Sequence, residues 1–144
     1  LGQDINVYTL LGDGEIEEGE VWEAFMFAAH YKLDNLCVII DLNGLQIDGP
    51  TEKVMNSAPV DAKMEAFGFN VITINGHDYD EIENAFNAFR ACTGKPTAIL
   101  MHTTKGKGVS YMENNVDWHG KAPNDAEYEV AMNELRAAMA ELEA

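Results

Sequence analysis

The chain has 144 residues, 47% of them apolar, enough for one domain with a real core. Nine basic residues against 25 acidic ones give a formal charge of −16, which argues against nucleic acid and anionic membranes as partners. No run approaches the roughly 20 apolar residues of a membrane span, no signal peptide is visible, and Cys37 and Cys92 belong to no motif, so they read as reduced, structural thiols of a cytoplasmic protein.

In chain order, the pattern predicts β-α-β-α-β-α-β-α. The first strand is Asn6 to Leu11, followed by Gly12-Asp13-Gly14. Trp22, Phe25, Met26, Ala29 and Leu33 then repeat at the spacing of one buried helix face. Glu15, Glu17, Glu18 and Glu20 crowd the start of that helix, where carboxylates suit its dipole. A second strand, Leu36 to Asp41, is followed by Asn43. Ala62, Glu65 and Ala66 predict a short helix before Gly68, and Asn70 to Ile74 a third strand. Ile82, Ala85, Phe86 and Phe89 mark the next helix, capped by Asp78 or Asp80. Thr97 to His102 is the fourth strand. A last helix follows Pro123-Asn124-Asp125, with Tyr128, Met132, Leu135, Met139 and Leu142 along one side.

The strand candidates are short, continuous and apolar, as strands buried on both faces are. Strands alternating with helices imply an α/β fold, a doubly wound parallel sheet with helices on both faces and right-handed crossovers. No repeat, low-complexity tract or linker divides it, so residues 1–144 are read as one domain. The chain lacks an initiator Met, and few residues precede its first strand. We therefore expect a fragment, a processed chain or a split gene product, whose open sheet edge promotes association with itself or with complementary chains.

The chemistry concentrates at two strand ends. Asp13 and Asn43 stand thirty positions apart, each directly after an apolar run. Magnesium takes octahedral oxygen ligands, usually one or two from protein and the rest from phosphate and water. Asp13 offers a carboxylate, Asn43 an amide oxygen and Leu45 its main-chain carbonyl. Gly12 and Gly14 allow a tight turn and leave room for a phosphate at the backbone. Ligands of parallel α/β sheets collect beyond the carboxyl ends of strands, where both residues fall. Taken alone, Gly-Asp-Gly is also a common turn.

The run from Gly12 through Ala24 resembles the central motif of transketolases. The likeness continues through Tyr31-Lys32-Leu33-Asp34-Asn35-Leu36 and Asp41 to Gly49, then Gly76-His77-Asp78, Thr103 to Gly108 and Trp118-His119-Gly120, in family order. It covers the later part of the family's thiamine-diphosphate-binding domain and is similar to the amino-terminal subunit of transketolases split into two chains. The resemblance implies magnesium on Asp13, Asn43 and the Leu45 carbonyl, with Ca²⁺ or Mn²⁺ as substitutes. It implies cofactor contacts from Gly12, Gly14, Lys105 and His119, and catalytic roles for His119 and for Glu18, an interface glutamate that connects the two active sites of a dimer. Where the family has Lys or Arg after Asn43, this chain has Gly44, which leaves the ligands intact.

The implied function is transfer of a two-carbon ketol unit from a ketose phosphate to an aldose phosphate. The acid-base glutamate of that reaction lies in the family's pyrimidine-binding domain, so the resemblance implies an incomplete site that needs a complementary subunit or domain. Alternatives are a fragment of a 1-deoxyxylulose-5-phosphate synthase, a two-oxoacid dehydrogenase subunit, or a non-catalytic metal-binding α/β module. Single residues have plainer readings too. Lys105 and Lys107 fit a solvated loop, His119 a surface pair with Trp118, and Glu18 a first-turn glutamate. His30 reads as a helix-surface residue, His77 as a capping or loop residue, and His102 as structural.

Overall fold

The computed structural model describes residues 4–143. Four parallel strands, β1 (Val7–Gly12), β2 (Leu36–Leu42), β5 (Asn70–Asn75) and β6 (Thr97–His102), form one sheet in the order β1-β2-β6-β5. A short antiparallel pair, β3 (Leu45–Gln46) and β4 (Gly49–Pro50), follows β2. The helices are α1 (Gly19–His30), α2 (Thr51–Val54), α3 (Val60–Ala66), α4 (Tyr79–Ala91) and α5 (Asp125–Leu142). Alternate residues of the central strands serve opposite faces. Val38, Ile40, Ala98 and Leu100 pack with Phe25 and Ala28 of α1 and with Val60 and Met64 of α3. Cys37, Ile74 and Ile99 pack with Ala85 and Phe89 of α4. Helices thus cover both faces of a parallel sheet, as the alternating pattern predicts.

Local chemistry sets the element ends. The Asp78 side chain accepts from the N–H groups of Asp80 and Glu81, so Asp78 is the cap of α4 and Asp80 is not. Asn124 and Glu127 form a reciprocal capping box on α5. Gly68, at φ +95°, closes α3.

Three expectations need correction. First, β1 is an edge strand and is not buried on both faces: Val7, Tyr8 and Leu10 are 45%, 44% and 67% exposed. An edge strand has a neighbour on one side only, and sequence pattern does not reveal strand order. Second, Met26 points to solvent, and Ala28 takes the buried place beside Phe25. A periodic stripe wider than the contact leaves one of its columns outside. Third, Tyr128, Leu135, Met139 and Leu142 are exposed along α5, and Ala131 is the buried residue of that helix. The β3–β4 hairpin and the four-residue α2 were not expected, being too short for any periodicity to show. No described helix is long and apolar enough to cross a membrane.

Candidate functional site

Parallel register brings three strand ends together. Gly12 pairs with Asp41 and Leu42 with His102, so the segments leaving β1, β2 and β6 emerge side by side. They border an open cleft of about 770 Å³ lined by Gly12, Asp13, Gly14, Glu18, Asn43, Leu45, Lys105 and His119, all the residues singled out from sequence. Asp41, Glu15, Glu20 and Gln46 line it as well.

Asp13 is the buried carboxylate of the cleft. Its main-chain N–H donates to the Asp41 carbonyl (3.1 Å), extending the β1–β2 ladder by one residue. Its side chain is 4% exposed, and Oδ2 accepts the Gly44 N–H at 2.5 Å. Burial raises its carboxyl above the ordinary value and the nearby Asp41 charge adds to the rise, while the Gly44 N–H opposes it. Among the described residues the ion pairs are Lys107–Glu113 and Lys121–Glu127, so no basic side chain compensates Asp13. A buried carboxylate beside a second one, met by backbone amides and by no described basic side chain, could hold a cation.

The second strand end carries further candidate oxygens. Asn43 Oδ1 accepts the Leu45 N–H at 3.0 Å, which orients the amide and leaves a lone pair on that oxygen. Gly44 lies at φ +76°, a left-handed conformation that suits glycine, and this turn delivers its N–H to Asp13. The departure from the family pattern at Gly44 therefore has a local geometric reason. Gly12 and Gly14 are not at positive φ. A Cβ at Gly14 would lie 3.0 Å from Gln46 Cβ, so glycine there allows the β1 turn to pack on β3. Among the described residues, no three His, Cys, Asp or Glu side chains converge on a metal position. One carboxylate, one amide and one main-chain carbonyl fit a hard cation that draws its other ligands from phosphate and water.

The cleft carries basic groups as well. Lys105 is half-buried, and its carbonyl accepts the Asn114 N–H at 2.9 Å. His119 ends a 3-10 turn, Val116–His119, and is exposed; its neighbour Trp118 packs on Tyr111 instead of on the imidazole. Glu18 sits exposed at the start of α1, with no side-chain cap bond. His30 is on the helix surface against Tyr31, in line with its plain reading. His102 is exposed and lines a second cavity of about 370 Å³, which Asp13 also borders.

Two residues carry more than sequence reasoning gave them. Asp41, quoted only as motif context, accepts from the Thr103 hydroxyl and presses on Asp13 electrostatically, tying β2 to the segment after β6. Gln46 has a buried Oε1 without a hydrogen-bond partner, beside Gly14. Asp41 near the end of the second apolar run was the available signal, and Gln46 had none.

Comparison with known proteins places the chain in a family. Residues 2–140 match the family model "Transketolase, thiamine diphosphate binding domain". The chain is 44% identical over 140 residues to an apulose-4-phosphate transketolase subunit of Phocaeicola vulgatus, covering 97% of this chain and 50% of that protein. It is 41% identical to a 6-deoxy-6-sulfo-D-fructose transketolase subunit of a Clostridium species, covering 90% of this chain and 47% of that protein. A crystal structure of transketolase from Campylobacter jejuni superposes with a TM-score of 0.85 at 36% identity, covering 91% of this chain and 20% of the other. The chain spans about half the length of the two subunit relatives. By its fold, its strand-end motif and these matches, the chain belongs to the transketolase family and corresponds to its thiamine-diphosphate-binding domain.

Proposed function

We propose that this chain forms the metal- and diphosphate-holding part of a transketolase active site and works with a complementary pyrimidine-binding subunit or domain. Asp13, Asn43 and the Leu45 carbonyl would hold Mg²⁺, with the Gly14 backbone at the diphosphate of thiamine diphosphate. The observation that carries this reading is the buried Asp13 carboxylate, uncompensated by any described cation, in a cleft also lined by Lys105 and His119. With five carboxylates along it, that cleft repels a bare diphosphate, so the metal is what makes anion binding favourable there.

When bound, thiamine diphosphate supplies an electron sink for the carbanion left by cleavage of a ketose. The residues of this chain bind and orient. Asp13 and Asn43 fix the metal, Gly44 holds the Asp13 carboxylate in one rotamer, and Lys105 offers positive charge to phosphate or sugar oxygens. His119 stands on the cleft wall as a hydrogen-bond donor or acceptor to the sugar. Glu18, exposed at the start of α1, is placed to meet a second chain. The activity is transfer of a two-carbon ketol unit between sugar phosphates in a cytoplasmic, oligomeric enzyme, and the chain alone is inactive. The names of two relatives, each a transketolase subunit, support a partner chain.

Ketol transfer from a panel of ketose phosphates to aldose phosphates tests this reading. The assay compares the chain alone with the chain plus its complementary subunit or domain, with and without Mg²⁺. We expect turnover only for the complemented, magnesium-loaded enzyme. Metal binding that is indifferent to thiamine diphosphate, with no turnover after complementation, would favour a non-catalytic metal-binding module instead.

A further inference from the structure

We infer that His77 is the positioning residue for the Lys105 segment. This rests on the proposal that Lys105 faces the cofactor and substrate. The backbone N–H of Thr104 donates to His77 Nε2 at 2.7 Å. A main-chain amide is a donor only, so Nε2 is the acceptor in this contact.

The contact continues the sheet where the backbone no longer can. β5 and β6 stay in register up to Asn75 opposite His102, and the Gly76 N–H then donates to the His102 carbonyl at 2.8 Å. One residue further on, the imidazole takes over as partner to the strand that leaves β6. The approach requires glycine at 76, since a Cβ there would lie 2.5 Å from Thr103 Cγ2. Asn75 Oδ1 accepts the His77 N–H at 3.0 Å and fixes the turn. On the far side, the Lys107 N–H returns to the Thr104 carbonyl at 3.2 Å. Lys105 thus sits between a peptide held by His77 and a peptide held by Asn114.

The test uses the enzyme that contains this chain, assembled as isolated, in three forms: wild type, His77→Ala and His77→Gln. Hydrogen exchange of the peptide spanning 103–108 is read by mass spectrometry, and KM for magnesium–thiamine diphosphate and kcat are measured in parallel. We expect His77→Ala to speed exchange of that peptide by about fivefold, the loss of one amide hydrogen bond. KM should rise by a similar factor with kcat at saturation little changed. His77→Gln, whose side-chain oxygen accepts a hydrogen bond, should restore both, and exchange of β2 should be the same in all three. Unchanged exchange at 103–108 in a folded His77→Ala enzyme would overturn the inference. So would failure of His77→Gln to rescue. Lys105→Met separates the two claims: faster exchange in His77→Ala with normal KM in both variants would support positioning by His77 and count against the role given to Lys105.

Discussion

The two walls of the cleft are built differently. The acidic wall, Asp13 with Asn43 and Leu45, hangs directly from the sheet: Asp13 is the next rung of the β1–β2 ladder, and its carboxylate is fixed by the Gly44 amide. The basic wall, Lys105 through His119, belongs to no strand of the main sheet, meets the β3 hairpin through its 3-10 turn, and is tied down by polar side chains. His77 holds Thr104, Glu113 accepts the Gly108 N–H at 2.9 Å, and Glu134 of α5 accepts both the N–H and the hydroxyl of Ser110. The difference teaches that the Asp13 side is continuous with the sheet core. The Lys105 side rests on local contacts and can loosen without unfolding that core.

The largest effect should come from removing the support of the Asp13 side. Phe89 is 1% exposed in α4 and packs edge-on to Tyr8 of β1. Phe89→Ala should cost about 3–5 kcal/mol, seen in chemical denaturation, and should weaken both walls together. A loss of loop protection with normal global stability would contradict that.

Gly106→Ala attacks only the Lys105 side. Gly106 lies at φ +72°, and a Cβ would stand 2.5 Å from the Met112 carbonyl oxygen. We expect about 1–3 kcal/mol of destabilisation, with faster proteolysis confined to residues 103–124 and a higher KM. Protection of β2 should be retained.

Acid should act on the two walls with opposite sign. The Asp13 carboxyl is raised, first by burial, so its ionisation costs stability as pH rises through the folded value. Glu134, Glu113 and Glu127 are lowered, chiefly by hydrogen bonds from Ser110, from the Gly108 amide and from the Asn124 amide respectively. Their contribution is present above the ordinary glutamate value and disappears as pH falls through the lowered ones. Without metal, Asp13→Asn should therefore raise the melting temperature at neutral pH, with the gain vanishing in acid. Exchange in the 103–142 region should accelerate in acid first. A variant less stable than wild type at neutral pH without metal would break this account.

The smallest perturbation is a chemical probe. Burial pushes the Cys37 thiol on β2 up to about 11, while Cys92 is half-buried at the end of α4. Thiol reagents at neutral pH should modify Cys92 and leave Cys37 untouched until global unfolding, even where the 103–124 segment is already open. Concurrent labelling of Cys37 with opening of that segment would deny that the walls are separable.

This contrast also explains what could be read from the chain. The Asp13 side was legible because continuous apolar runs predict buried parallel strands, and Asp13 and Asn43 follow two of them. Lys105 and His119 were legible only through family likeness, since Lys-Gly-Lys-Gly and Trp-His-Gly carry no periodicity. The contact that fixes the Lys105 segment joins His77 to Thr104 across 27 positions and has no local pattern at all. Edge exposure at Leu10 and the outward turn of Met26 depend on which strand or helix lies next door, a fact absent from any one segment. The apolar side of α5 is regular enough to predict a helix, yet its Met139 and Leu142 remain exposed in this chain.

The most direct test of the central claim is calorimetric titration of thiamine diphosphate into the enzyme containing this chain, with and without Mg²⁺, beside Asp13→Ala. The account predicts binding that requires Mg²⁺ and is weakened at least about 100-fold in the variant, as loss of a charged ligand should do. Equal binding with and without metal, or an unaffected Asp13→Ala, would contradict it.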